Sequence, residues 1–372
     1  MDIEFDVKHG LEGVAVAISS ISYVDGEKGE LVYRGFKIED LIENSTFEET
    51  SYLIWFGSLP NENELDFITT MLAKKRELPE EIVKMMNSFP KTSHPMEVLR
   101  SVVSLLGMFE KKDKSTFENA INLTAKIPTI IAYWYRIKNN LPLIHPRESL
   151  KHSENFLYMM FGSVPEHSSL FDKALILHAE QGMNASTFAS TVTASTLSDI
   201  YSIITTAIGT LKGPLHGGAN EKVLDMLEEI GNLENVEFYI NDLINRKEKI
   251  MGFGHRIYKT YDPRAKILKN WIKDIFINKK IKYFEIALKV EEIVLNKFKE
   301  KKIYPNVDFY SGILYNYFGI PKDFFTPIFA MARIVGWTAH AMEYCKNNRI
   351  FRPKAIYNGP KNLKYKDVKG AE

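Results

Sequence analysis

Apolar residues recur at spacings of three and four along most of this 372-residue chain, as in "ENFLYMMFG" at 154–162 and "FDKALILHAEQG" at 171–182. That is the period of helices with one face turned inward. Only the first 35 residues break the rhythm. There "VAVAISSISYVDGEKGELVYRG" alternates, and Asp25-Gly26 and Lys28-Gly29 offer turns between short strands. Helix starts are marked locally: Ser45 with Glu48 and Asn61 with Glu64 have capping-box spacing, and Pro79 and Pro95 stand where a first turn would begin. The pattern predicts an all-α fold with a short β-element at the N-terminus, and it disfavours Rossmann and barrel classes.

The texture then changes along the chain. From Lys173 to Lys212 the sequence is rich in Ala, Ser, Thr and Gly, residues that let helix backbones approach closely, so these helices belong at the centre or in a subunit interface. From Asn220 to Phe318 the helices are amphipathic and charged. "ANEKVLDMLEEIG" puts Val223, Leu227 and Ile230 on one stripe and stops at Gly231, and a later helix carries Ile286, Val290, Ile293 and the stem of Lys297. "DFFTPIFAMARIVGWTAHAMEY" at 323–344 is apolar on all sides and should be buried. The expected division is a large helical domain over 1–218, a small helical domain over 219–318, and a return to the large domain over 319–372.

Charge removes several function classes. Lys and Arg number 48 against 47 Asp and Glu, so no bulk field favours nucleic acid or an anionic membrane. The start "MDIEFDVKHG" does not read as a signal peptide. The uncharged run from Gly182 to Ser198 is too dense in Ser and Thr for a membrane span. Cys345 is the single cysteine, which allows no internal disulfide and fits a reducing compartment, so the expected location is the cytoplasm. No Walker A sequence, HExxH or Cys/His cluster appears, and "GFGHRI" lacks the third glycine and preceding strand of a dinucleotide site.

Two histidines stand in glycine-bracketed turns, His216 in "GPLHGGAN" and His255 in "GFGHRIYKTYDPRA". A helix starting near Asn220 would keep His216 neutral and able to donate to a developing oxyanion, although a structural histidine in a tight turn satisfies the same pattern. Asp262 followed by Pro263 reads as an N-cap with proline at the first helical position. Arg264 then lies in an opening turn, where the helix dipole disfavours a cation and an anionic partner is expected. Arg333 is the lone charge between Asp323 and Glu343. A buried guanidinium requires an anion, from the protein or from a substrate. Arginine is scarce here, eleven against the more numerous lysines, and Arg352 adds a further candidate near the C-terminal end. Asn306 is a plausible cap that places Asp308 in a first turn.

Taken together and in order, "GLEGVAVAISSISYVDGEKGELVYRG", "GPLHGGAN", "GFGHRIYKTYDPRA" and "NVDFYSG" resemble the motifs of citrate synthases over essentially the whole length. The resemblance implies a mostly helical homodimer that closes over its substrates, condensing acetyl-CoA with oxaloacetate in the tricarboxylic acid cycle. It implies no permanently bound cofactor and no metal, with the coenzyme A thioester as co-substrate. His216 would hydrogen-bond the thioester carbonyl, Asp308 would remove the methyl proton, and His255 would polarise the oxaloacetate ketone. Arg264 and Arg333 would hold oxaloacetate carboxylates, with Arg352 contributed across the dimer, and Lys259, Gly252 and Gly254 would meet coenzyme A. One departure stands out. In "HAEQGMNAST" Gln181 occupies the position of a family histidine that touches oxaloacetate, with His178 three residues earlier. A glutamine hydrogen-bonds without carrying charge. Two other readings share the motifs: a 2-methylcitrate synthase using propionyl-CoA, and a non-catalytic protein binding CoA or carboxylates on the same scaffold.

Overall fold

A computed structural model describes residues 7–109, 116–277 and 279–365. Its small sheet has three antiparallel strands in the order β1 (Ser22–Asp25), β2 (Glu30–Tyr33), β3 (Phe36–Lys37), with Ser22 opposite Tyr33 and Asp25 opposite Glu30. The β1–β2 turn falls on the Asp25-Gly26 and Lys28-Gly29 pairs, where Asp25 Oδ1 accepts from the backbone N–H of Glu27 and Lys28. Sixteen helices follow among the described residues. The first ten are α1 (Ile38–Asn44), α2 (Phe47–Phe56), α3 (Glu62–Lys74), α4 (Glu80–Ser88), α5 (Pro95–Phe109), α6 (Thr116–Lys138), α7 (His152–Phe161), α8 (Ser168–Ala179), α9 (Ala185–Ser195) and α10 (Ile200–Leu211). Then come α11 (Ala219–Ile230), α12 (Val236–Asn245), α13 (Pro263–Phe276), α14 (Phe284–Lys297), α15 (Val307–Tyr317) and α16 (Phe325–Lys346).

The expected caps at Asn61, Asp262 and Asn306 are present, each side chain accepting from a first-turn N–H. The start of α2 is shifted by one residue. Thr46 and Glu49, not Ser45 and Glu48, form the capping box, which frees Glu48 to turn inward and accept from His152 N at 2.7 Å. Pro95 opens α5 as expected, whereas Pro79 precedes α4 as its N-cap.

α16 is the central post. Every residue from Phe325 to Ala341 is buried, and the helix packs on α2, α6, α8, α9 and α10. The small-residue helices α9 and α10 pack on one another and on α16, and α10 also packs on α5. α11 to α15 pack among themselves, with α13 also meeting α8 and α11 meeting α16. In α11 the expected stripe Val223, Leu227 and Ile230 is buried. In α14 the stripe is rotated: Ile286 and Val290 are inside, but Val294 and Glu291 take the next turn while Ile293 is half-buried and Lys297 exposed. Glu291 goes inward because its carboxylate accepts from the hydroxyls of Tyr261 and Tyr310. No helix among the described residues is long and apolar enough to cross a membrane.

Candidate active site

One wall of the site is built around the start of α13. Asp262 caps that helix through Arg264 N at 3.0 Å and grips the same residue's guanidinium with both oxygens, at 3.0 Å from Nε and 2.8 Å from Nη2. The anion expected for Arg264 is therefore its own neighbour. Burial opposes the charge on Arg264, but the carboxylate outweighs it and raises the pKa. Nη1 is left buried with no partner among the described residues, a donor that a bound carboxylate would satisfy.

His255 precedes this helix. Its Nδ1 accepts from the backbone N–H of Ile257 and Tyr258, both at 3.1 Å, which places the ring proton on Nε2. Gln181 meets that Nε2 at 3.3 Å through its amide nitrogen. Two donors do not bond, so the amide turned end for end, with Oε1 toward His255, is the arrangement that satisfies both. Burial first, then the Arg264 charge, lowers the His255 pKa to about 4. The ring is a neutral donor at physiological pH.

Asp308 is tied to the same wall. The N-cap Asn306 accepts from Asp308 N at 3.0 Å, donates its amide to Gly254 O at 2.9 Å and donates its backbone N–H to Gly252 O at 2.8 Å. Val307 N donates to Asp262 Oδ2 at 3.1 Å. Asp308, the His255 loop and Arg264 are thus one hydrogen-bonded unit. The Asp308 side chain is half-buried, and its pKa is raised to about 7: burial dominates, Asp262 adds to it, and Arg264 and Arg333 oppose.

The facing wall comes from α8, α9 and α16. Ser186 N, in the first turn of α9, donates to His216 Nε2 at 3.3 Å, and Ser186 Oγ lies 2.8 Å from the same atom. That backbone N–H needs an acceptor, so Nε2 is bare and Nδ1 carries the proton. The hydroxyl accepts from Trp337 Nε1 at 3.0 Å and shares its single proton between two acceptors at 2.8 Å, His216 Nε2 and Asn184 Oδ1. Burial, then Arg333, lowers His216 to about 4. The neutral state expected from the helix following His216 is thus set by burial and Arg333, and the N-terminus of α9 fixes its tautomer. Gly217 is explained by packing, since a Cβ there would meet Leu211 at 2.7 Å.

Arg333 donates Nε to His178 O at 2.6 Å, lies 4.7 Å from the Phe329 ring centroid, and keeps Nη2 buried without a partner among the described residues. Burial outweighs the nearby Glu180 charge and lowers its pKa to about 10, so it remains cationic. His178 does not replace the missing histidine: it is fully buried and its Nδ1 lies 2.8 Å from Ala174 O, inside its own helix. Glu180 belongs to the site without any local sequence signal of its own. It is fully buried, held by Ser22 Oγ and His340 Nε2, both at 2.9 Å, and it is the carboxylate that most favours the charge on Arg333. Gly336 is obligatory beside it, since any Cβ would lie 2.1 Å from Glu180 Oε2.

The remaining expected residues lie outside this core. Lys259 is exposed, with its backbone N–H on Gly26 O at 2.8 Å. Gly252 has its missing side chain accounted for by Phe309 and Val223, at 2.7 and 2.8 Å from a built Cβ, while Gly254 has open space. Arg352 is exposed on the segment after α16 and donates to Pro353 O at 2.9 Å.

The geometry can be set beside known proteins. The family model for the citrate synthase C-terminal domain matches residues 10–354. Citrate synthase 2 of Bacillus subtilis is 47% identical, with 96% of this chain and 97% of that protein covered. A crystal structure of citrate synthase from Thermotoga maritima superposes with a TM-score of 0.91 at 48% identity, covering 98% of this chain and 99% of that one. The ternary complex of the Thermoplasma acidophilum citrate synthase with carboxymethyl coenzyme A and oxaloacetate superposes with a TM-score of 0.93 at 37% identity, covering 97% and 98%. With motifs, helical architecture and near-complete coverage in agreement, the chain belongs to the citrate synthase family.

Proposed function

We infer that the chain carries out the reaction its family is named for, joining the acetyl unit of acetyl-CoA to oxaloacetate and hydrolysing the resulting thioester to citrate and free coenzyme A. The observation that carries this reading is the protonation pattern. Two neutral imidazoles each have one nitrogen occupied by backbone donors, so each presents a single N–H, and a carboxylate with a pKa of about 7 lies on one of the two walls.

In the proposed sequence Asp308 takes a proton from the thioester methyl group while His216 Nδ1–H stabilises the oxygen that becomes enolic. Neither suffices alone, because a thioester α-proton is weakly acidic. The enol carbon attacks the ketone carbon of oxaloacetate, and the ketone oxygen receives the Nε2–H of His255. Arg264 Nη1 and Arg333 Nη2 hold the keto-acid carboxylates, Gln181 accepts or donates at the same end without adding charge, and Lys259 and the open edge at Gly254 face coenzyme A. Residues 219–318 act as a smaller domain whose closure on 1–218 and 319–372 keeps water from the enol. The internal packing of α11 to α15 supports that division. The working unit is a homodimer to which Arg352 contributes across the interface, and the single cysteine fits a cytoplasmic enzyme.

Thiol release from acetyl-CoA in the presence of oxaloacetate tests the reading. The expected kcat/KM for acetyl-CoA exceeds that for propionyl-CoA by about tenfold, the scale of one methylene in a pocket. Background release with both substrates present, on folded protein, overturns it.

A further inference from the structure

The β1–β2 hairpin of the N-terminal motif touches both loops that meet at the reacting nitrogen of His255. At its base, Ser22 Oγ donates to Glu180 Oε1 at 2.9 Å and accepts from Gly182 N at 3.0 Å, bracketing Gln181 on both sides. Opposite Ser22 in the register, Tyr33 donates its hydroxyl to Glu180 O at 2.8 Å and accepts from Glu180 N at 3.2 Å. At its tip, Gly26 O accepts from Lys259 N at 2.8 Å. A Cβ on Gly26 would lie 2.2 Å from Ile257 O, and one on Gly29 would lie 3.0 Å from Tyr261 O. Ile257 is one of the two residues whose N–H fixes the His255 tautomer.

We propose that the β1–β2 hairpin is the positioning element of the keto-acid half of the site: Ser22 and Tyr33 register Gln181, and the glycine tip registers the His255 loop. The two contacts sit at opposite ends of a four-residue strand, and a paired strand is a stiff spacer. Its length sets the gap between Gln181 and His255 Nε2, the gap the ketone and an adjacent carboxylate must fill. Glycine is needed at 26 because backbone lies where a side chain would be, and a shift of that loop by a fraction of an ångström turns the imidazole away from the ketone. The hairpin residues touch no substrate; they act through Gln181 and His255. The inference rests on the reading of those two residues as keto-acid ligands.

The test compares Gly26→Ala, Ser22→Ala, Ser22→Thr, His255→Ala and the exposed turn variant Lys28→Ala by thiol release, with unfolding midpoints measured alongside. The expected result for Gly26→Ala and Ser22→Ala is a KM for oxaloacetate raised by about fivefold or more with the KM for acetyl-CoA within about twofold, recovery in Ser22→Thr, and no change in Lys28→Ala. A hairpin that merely stabilises the fold would lower the midpoint and leave the ratio of the two KM values alone, and that outcome overturns the proposal. So does an unchanged oxaloacetate KM in both hairpin variants while His255→Ala raises it. If His255→Ala itself leaves oxaloacetate handling intact, the keto-acid reading falls and the hairpin proposal with it. Should Gly26→Ala fail to fold, the Ser22 pair decides.

Discussion

A carboxylate of ordinary pKa is a poor base for a carbon acid, and the two histidines of this site are useful only while neutral. Burial lifts Asp308 to about 7 and pushes His216 and His255 to about 4, so the groups are separated by environment into one base and two donors. Between pH 5 and 9 both imidazoles stay neutral, and Asp308 is the group that titrates. The expected profile of kcat/KM for acetyl-CoA therefore falls about tenfold per unit below pH 7, as the base becomes protonated, and is flat above about pH 8. A limb centred near 4 would transfer the role of base away from Asp308. Asp308→Ala should reduce kcat by about a hundredfold or more while calorimetry still finds oxaloacetate bound, because the keto-acid contacts belong to Arg264, Arg333 and His255. A loss of oxaloacetate affinity matching that of Arg333→Ala would make Asp308 a structural partner of the arginines.

Helix ends are where this sequence was most legible, since a cap is a local event. Asn61, Asp262 and Asn306 are read from three or four residues of context, and the one-residue slip at Thr46 arose because Ser45–Glu48 and Thr46–Glu49 carry the same spacing. Inward-facing acids were not legible, because their partners are remote: Glu180 meets Ser22 and His340 across 158 and 160 residues. A second acid cluster shows the same thing. Asp172 Oδ2 accepts from Phe47 N at 3.0 Å, at the start of α2, and Glu48 Oε1 accepts from His152 N, at the start of α7. The other oxygen of each is buried without a partner among the described residues. Burial, then the charge of Glu48, raises Asp172 to about 7. A folded-state pKa above the unfolded one means that the contribution of this group is greatest below the ordinary carboxylate range, is lost as pH rises through the folded value near 7, and is flat above it. Asp172→Asn keeps an acceptor for Phe47 N and removes the charge. It should stabilise the protein by up to about 4 kcal/mol at pH 8 and by less than half of that at pH 5. Urea unfolding at the two pH values measures this, and equal losses at both would show that the carboxylate itself is required.

At the scale of the molecule, fold class followed from periodicity because a helical period repeated over hundreds of residues leaves few architectures. Local context singled out His216, His255, Asp308 and Arg333 as candidates, but nothing in local spacing brings them and Gln181 together, and their joint roles come from the resemblance alone. The small-residue helices, expected at the centre or in a subunit interface, pack against the central post, and part of the region is still open: Val192 and Thr193 are half-buried and Leu197 is 70% exposed, within the uncharged stretch 182–198. The segment after α16 is likewise exposed, including Ile350, Ile356 and Tyr357. A second copy of the chain would cover such surfaces by twofold symmetry. The proposed dimer is therefore expected to have twice the 42.8 kDa chain mass. Its sharper consequence concerns Arg352. If that guanidinium serves the partner's site, a dimer of one Asp308→Ala chain and one Arg352→Ala chain contains one site with both lesions and one with neither. Co-expression of the two inactive variants should then restore about a quarter of the wild-type rate, from random pairing, and each variant alone should restore nothing. If Arg352 serves its own chain, every site in the mixture carries one lesion and activity stays at the level of the single variants. That outcome would overturn the assignment of Arg352 across the interface even if the measured mass is that of a dimer.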